Sequence, residues 1–163
     1  RAEESTSGKD KILALTGKLA GAVRKALGDR TPESVQLAAA ETFTAASLEA
    51  AQAYSRAQDA RFAGKTEEAI KLYQEAVKLD PNLGSALYGL AVTYSSFERN
   101  EANRYYELAM SNINRLSDRE KYRLRGGYYL TQLNHQKALD EFTELTRLYP
   151  ADFSGLSNLA YVY

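Results

Sequence analysis

Cysteine is absent from the 163 residues, and histidine occurs once. The absence of cysteine excludes disulfides, thiolate nucleophiles and cysteine metal sites, although it does not identify the cellular compartment. The single histidine, His135, follows Asn134 at a predicted turn and has no cysteine or carboxylate pair beside it, so it does not predict a metal site. We therefore expect neither a metal ion nor another cofactor.

The chain also lacks an excess of charge of either sign and any long apolar run. Lys plus Arg and Asp plus Glu both total 21, which argues against nucleic acid or an anionic membrane as the partner. The basic stretch from Arg115 to Arg125 is interleaved with Asp118 and Glu120, a pattern typical of a surface of ion pairs. No stretch approaches the roughly 18 to 20 apolar residues of a membrane-spanning helix. We expect no nucleic-acid partner and no direct membrane insertion.

An alanine followed four residues later by an aromatic side chain recurs along the chain. The alanines are Ala69, Ala102 and Ala138, at spacings of 33 and 36 residues. A period of this length is typical of a two-helix solenoid repeat, whose units stack because none can bury its apolar face alone. The pattern predicts an all-α fold of stacked helical hairpins. The residues expected to pack between its helices are Ala69, Tyr73, Ala76, Ala102, Tyr106, Ala109, Ala138 and Phe142.

Turn and capping residues divide the chain into segments. Residues 1–10 are predicted to be a flexible lead-in, and residues 11–46 an N-terminal helical segment with a linker. Residues 47–163 are predicted to form the repeat region. Its units are expected at residues 48–81, 83–116 and 117–150, with the opening helix of a fourth unit at 152–163. Because the chain starts at Arg1 rather than at a methionine, we expect it to be a fragment of a longer protein.

Two helix starts carry specific predictions. Thr66 precedes Glu67 and Glu68 and is predicted to cap the second helix of the first unit. Ser117 and Glu120 have the spacing of a capping box, in which each side chain bonds to the backbone N–H of the other residue. The sequence therefore predicts a helix beginning at Ser117.

No set of nucleophile, base and orienting group can be assembled from this sequence. Gly64-Lys65-Thr66 is similar to the end of a phosphate-binding loop, but Asp59 stands where the earlier glycine is required, and a helix rather than a strand precedes it. The glycine-rich loop and the His-Arg-Asp and Asp-Phe-Gly motifs of a protein kinase are also missing. We therefore predict that the chain is not an enzyme.

The repeated motifs resemble those of the tetratricopeptide repeat (TPR) family. Residues 90–94 and 159–163 both carry the leucine, small residue and tyrosine of the family's first helix, and Gly126 is the small packing residue of the third unit. The resemblance covers residues 47–163. It implies an all-α, right-handed superhelix of antiparallel helix hairpins, here with an extra N-terminal helical segment.

The same resemblance implies a concave groove, lined by the first helices, that holds a protein or peptide ligand. The expected groove residues are Tyr54, Gln58, Arg61, Tyr88, Val92, Arg123 and Gly127. Tyrosine and arginine dominate binding hot spots, although tyrosines can instead pack between the repeats. The family's clamp for a chaperone's C-terminal carboxylate is not expected, because Tyr54, Gln58 and Gly89 stand at the comparable positions.

The whole chain also resembles the C-terminal sensor region of bacterial serine/threonine protein kinases and of related winged-helix regulators. The segments that carry this second resemblance are residues 23–28, 46–50, 53–55 and 116–121. It implies the partner-sensing part of a larger bacterial signalling protein, either in the cytoplasm or in the extracytoplasmic part of a membrane-anchored chain. The alternative function is a homo-oligomer formed through the unfinished last helix.

Overall fold

The structure of the protein is a computed structural model that describes residue 19 and residues 45–162. The predicted lead-in at residues 1–10 and nearly all of the predicted segment at residues 11–46 lie outside the described residues. Over residues 45–162 the regular elements are seven α-helices and one 3-10 helix, without a strand. The α-helices are α1 (Leu48–Phe62), α2 (Thr66–Leu79), α3 (Gly84–Tyr94), α4 (Arg99–Ser111), α5 (Asp118–Thr131), α6 (His135–Leu148) and α7 (Phe153–Val162), and the 3-10 helix is Ile113–Arg115.

The helices pair as hairpins, α1 with α2, α3 with α4 and α5 with α6, and each hairpin packs on the next. Helix α3 contacts both α1 and α5, so the first helices of the three hairpins form one layer. Helix α7 packs on α6. The predicted all-α stack of helical hairpins is confirmed. No helix in this described stretch is both long enough and apolar enough to cross a membrane.

Of the two predicted helix caps, one is confirmed and the other is wrong. The Ser117 hydroxyl accepts from Glu120 N while the Glu120 carboxylate accepts from Ser117 N, so the predicted capping box at α5 is confirmed. Thr66, however, does not cap α2: Lys65 is the N-cap residue and makes no side-chain cap bond. Gly64, with a φ of +74°, turns the chain two residues before Thr66. The helix therefore begins at Thr66 itself, one residue earlier than a Thr66 cap requires.

Asp80 ties three segments together at the end of the first hairpin. Its carboxylate accepts hydrogen bonds from Ala46 N at 2.8 Å and from both terminal nitrogens of Arg115 at 3.2 and 3.1 Å. Burial alone would raise the pKa of Asp80, but these hydrogen bonds outweigh it and hold the pKa below the usual value. The chain entering α1, the α2–α3 connection and the 3-10 helix are therefore held at one carboxylate.

The core lies between the helices at the positions of the repeated pattern. Ala69, Tyr73 and Ala76 on α2 are fully buried, and their counterparts on α4 and α6 are buried as well. Small residues allow helix backbones to approach closely, and the aromatic ring fills the remaining space. The other buried members of the pattern are Ala102, Tyr106, Ala109, Gly126, Ala138, Phe142 and Leu145.

Candidate binding groove

Two adjacent cavities open on the layer formed by the first helices. The larger has a volume of about 520 Å³ and the smaller about 320 Å³. Gln58, Arg61, Tyr88 and Ser154 line both cavities, so they form the wall between them. We call the two cavities together the groove.

All seven residues expected in the groove lie at its walls. Gln58, Arg61, Tyr88, Val92 and Gly127 line the larger cavity. The smaller cavity adds the two others, Tyr54 and Arg123.

The floor of the groove depends on two glycines that each lie under a tyrosine ring. A Cβ atom at Gly89 would lie 2.4 Å from Tyr73 Cε1, and one at Gly127 would lie 2.6 Å from the Tyr106 hydroxyl oxygen. Only glycine leaves room for such an approach. The ring of Tyr88 lies 6.1 Å from that of Tyr106 in an edge-on arrangement, which is favourable for aromatic pairs. The floor is therefore a row of packed tyrosines.

Gln58 connects two of these tyrosines through its side-chain amide. Its Nε2 donates to the Tyr54 hydroxyl, and its Oε1 accepts from the Tyr73 hydroxyl at 3.1 Å. Oε1 also accepts from Arg61 Nη2 at 3.4 Å. Since the amide already has three partners within the protein, Gln58 organises the wall between the cavities and has little hydrogen-bonding capacity left for a ligand.

Burial keeps the groove tyrosines neutral. It raises the pKa of Tyr54 to about 12, with a further contribution from the Glu120 carboxylate. Burial also raises the pKa of Tyr106 to about 12 and that of Tyr88 still further. Their hydroxyls therefore remain hydrogen-bond donors at every physiological pH.

Arg123 is held by a carboxylate that the sequence pattern did not single out. Asp152 is fully buried, and both Arg123 and Arg119 donate to it from α5. Asp152 Oδ1 accepts from Gly155 N at 2.9 Å, so Asp152 also caps α7. Burial favours the neutral form of Asp152, but the hydrogen bonds from Arg123, Gly155 and Arg119 prevail and lower its pKa. The expected ligand anchor Arg123 thus fixes the start of α7.

Arg61 and Arg99 differ from the α5 arginines, because neither forms an ion pair with any residue in the described range. Arg61 is half-buried and lies 4.6 Å over the ring of Phe62. Arg99 is exposed, and its Nη2 donates to the Thr131 carbonyl at 3.2 Å. Both arginines line the larger cavity.

Several lining residues lie outside the set expected from the sequence. Helix α7 supplies Ser154, Asn158 and Tyr161, spaced three and four apart on one face. That spacing is visible in the sequence, but whether the face meets the groove depends on how Asp152 positions α7. The larger cavity is also lined by Ser96, Arg99, Leu130 and Leu133 from outside that set, and by Tyr73, Ala102 and Tyr106 from the residues expected to pack between the helices.

Comparison with known proteins agrees with this architecture. Residues 62–96 match the sequence model of the TPR repeat. Among solved structures, the first TPR domain of Spaghetti (RPAP3), bound to the HSP90 peptide SRMEEVD, is similar at a TM-score of 0.53 and 20% identity. The match covers 74% of this chain and 94% of that one. No protein in the search of curated sequences matches this chain. The fold is an all-α helical repeat of the TPR type.

Proposed function

We propose that this chain is a non-catalytic interaction scaffold that binds a peptide or protein segment in the groove. The observation that carries the proposal is that the two cavities lie side by side and share the lining residues Gln58, Arg61, Tyr88 and Ser154. Two adjoining cavities of this kind fit several side chains of an extended segment better than one compact small molecule.

The composition of the groove wall supports the same proposal. Rigid tyrosine rings offer apolar area at a small cost in conformational entropy, and arginine adds directional hydrogen bonds. Tyr88 and Val92 keep part of their surfaces exposed in the groove. The TPR domain of Spaghetti binds an HSP90 peptide, which is a precedent for peptide binding on this fold.

The resemblance to bacterial kinase sensor regions supports a place for this scaffold in a larger bacterial signalling protein. In that setting the groove is the partner-sensing part, and catalysis belongs to another domain. An immunoblot of the source cells with an antibody against residues 45–162 should then detect a polypeptide much larger than the 18.1 kDa chain. Detection of an 18 kDa band alone would contradict this placement.

A matched pair of tryptophan substitutions tests the groove. Ser96 and Ser111 are both exposed, but only Ser96 lines the larger cavity. Ser96→Trp should obstruct the cavity without altering the core, while Ser111→Trp makes the same chemical change elsewhere. On an array of random 12-residue peptides, we expect Ser96→Trp to lose the binders that wild type and Ser111→Trp retain. Equal binding by all three proteins, or none by wild type, would contradict the proposal.

A second candidate function is self-association through α7. Phe153 and Tyr161 are 78% and 76% exposed, and Leu156 is 51% exposed. Light scattering at rising concentration should show a dimer that Leu156→Glu abolishes if this face joins two copies. A monomer at every concentration would exclude this candidate and leave the groove proposal unaffected.

A further inference from the structure

The charge of the larger cavity differs from that of the whole chain. The chain has 21 basic and 21 acidic residues, but the charged residues that line this cavity are Arg61 and Arg99. No acidic side chain lines it within the described range. A cleft lined by one sign of charge focuses the electrostatic potential and attracts the opposite charge.

Arg61 is placed to receive an anion. Its Nε is buried and has no hydrogen-bond partner among residues 45–162. A buried unpaired donor has lost its bonds to water without replacement, and this costs more when the group is charged. The guanidinium carbon lies 4.6 Å over the Phe62 ring and Nη2 donates to Gln58 Oε1 at 3.4 Å, so a ligand carboxylate would meet a group that already has contacts orienting it.

Arg99 supplies a second guanidinium from the start of α4. One nitrogen is bound to the Thr131 carbonyl, which restrains the side chain across the gap between α4 and α5. Since arginine has five N–H donors in a planar arrangement, most remain available. The restraint lowers the conformational entropy that would be lost when a ligand binds.

The arginines of α5 differ from Arg61 and Arg99 because each of them is paired with a carboxylate of the protein. Arg119 and Arg123 share Asp152, and Arg125 Nε lies 2.8 Å from Glu141. These three therefore have their counter-ions within the fold, whereas Arg61 and Arg99 line a cavity without one. A carboxylate of the ligand would supply the counter-ion that Arg61 and Arg99 lack.

We propose that the groove selects an acidic protein segment and binds an internal Asp or Glu carboxylate between Arg61 and Arg99. The proposal rests on the proposed function and names the ligand class. It does not require a C-terminal carboxylate, since the smaller cavity adjoins the larger one at Arg61 and offers room for the next residues of the segment.

A positional peptide library tests this selection. The probes are N-acetylated, C-amidated 11-residue peptides with random flanks and a central Glu, Gln, Lys or phosphoserine, so no terminal charge can substitute for the side chain. We expect the glutamate set to bind about tenfold more tightly than the glutamine set, the size of one charge-assisted hydrogen-bonded pair. Equal binding of the two sets, or a preference for the lysine or phosphoserine set, would overturn the proposal.

Variants assign the preference to the two arginines. Arg61→Gln and Arg99→Gln should each remove most of the difference between the glutamate and glutamine peptides. Arg56→Gln, at an exposed position of α1 outside both cavities, should preserve that difference. If both cavity variants still preferred the glutamate peptides, Arg61 and Arg99 would not be the residues that bind the carboxylate. Because Arg99 is exposed, we expect Arg99→Gln to fold normally, so this result can be interpreted even if Arg61→Gln alters folding.

Failure of the ligand class and failure of the groove give different results. Peptides that bind wild type, are lost in Ser96→Trp and show no charge preference would refute the acidic segment and leave the groove intact. Peptides that bind Ser96→Trp as tightly as wild type would refute the proposed function and, with it, this inference.

Discussion

Gly89 on α3 lies directly beneath the ring of Tyr73 on α2, with the position of a Cβ only 2.4 Å from Cε1. We predict that Gly89→Ala destabilises the fold. Alanine favours a helix by about 1 kcal/mol over glycine, but overpacking costs about 1 to 3 kcal/mol, and Tyr73 is fully buried and cannot move aside. Urea unfolding should show a net loss of up to about 2 kcal/mol.

The ring itself supplies the control for this substitution. In a Tyr73→Leu background the overpacking should disappear, so Gly89→Ala should become neutral or stabilising. An equal cost in both backgrounds would mean that the two helices do not pack through this pair.

Leu133 adopts a backbone conformation that leucine rarely takes, with φ of +57° and a side chain 66% exposed. The left-handed region costs a non-glycine residue about 1 to 2 kcal/mol, and little burial is lost on removing an exposed side chain. We predict that Leu133→Gly stabilises the protein by about 1 kcal/mol. Leu108→Gly, at a partly exposed position inside α4, should destabilise it by about 1 kcal/mol. Thermal unfolding that moves in the same direction for both would refute the assigned strain.

Asp152 should contribute stability that depends on pH. Its pKa is lowered in the folded state, so the stabilisation is present above the ordinary aspartate pKa and is lost as the pH falls through the lowered value. Asp152→Asn keeps an acceptor for Gly155 N and removes the charge. We expect a loss of about 3 kcal/mol at neutral pH and a smaller further loss between pH 5 and pH 3 than in wild type.

Two comparisons isolate this effect. Glu120, whose pKa is raised by burial, is present in both proteins, so its titration cancels in the difference. Asp118→Asn, at an exposed carboxylate paired with Lys121, should change stability by no more than about 0.5 kcal/mol. Parallel stability curves for wild type and Asp152→Asn below pH 5 would mean that the Asp152 carboxylate does not stabilise the fold through its ion pairs with Arg119 and Arg123.

The repeated alanine and aromatic positions were sufficient to predict the hairpins, because each unit buries the same face against its neighbour. Ser117 and Glu120 likewise defined the start of α5, since a capping box is local. Thr66 failed as a cap for a local reason too: the left-handed turn at Gly64 moved the helix start by one residue. Local chemistry therefore accounts for the starts of α2 and α5.

The chemistry of the groove depended on contacts between residues distant in sequence. Arg123 and Asp152 are 29 residues apart, and no periodicity links them, so the sequence alone placed Arg123 among free ligand anchors. The sequence does not identify Arg99 as a groove residue, because Arg99 lies at the start of a second helix and the TPR resemblance implies a groove lined by first helices. Its place in the cavity follows from the packing of α4 beside α5.

Amide chemical-shift mapping would show whether a protein segment lies in the groove. A labelled sample of the chain would be titrated with the tightest acidic peptide from the positional library. We predict that the largest changes occur at Val92, Gly127 and Asn158, which line the larger cavity, while Glu75 and Glu107 on the second helices stay unchanged. Changes confined to the second helices, or to the α7 face around Leu156 with none at Gly127, would show that the peptide does not bind in the groove.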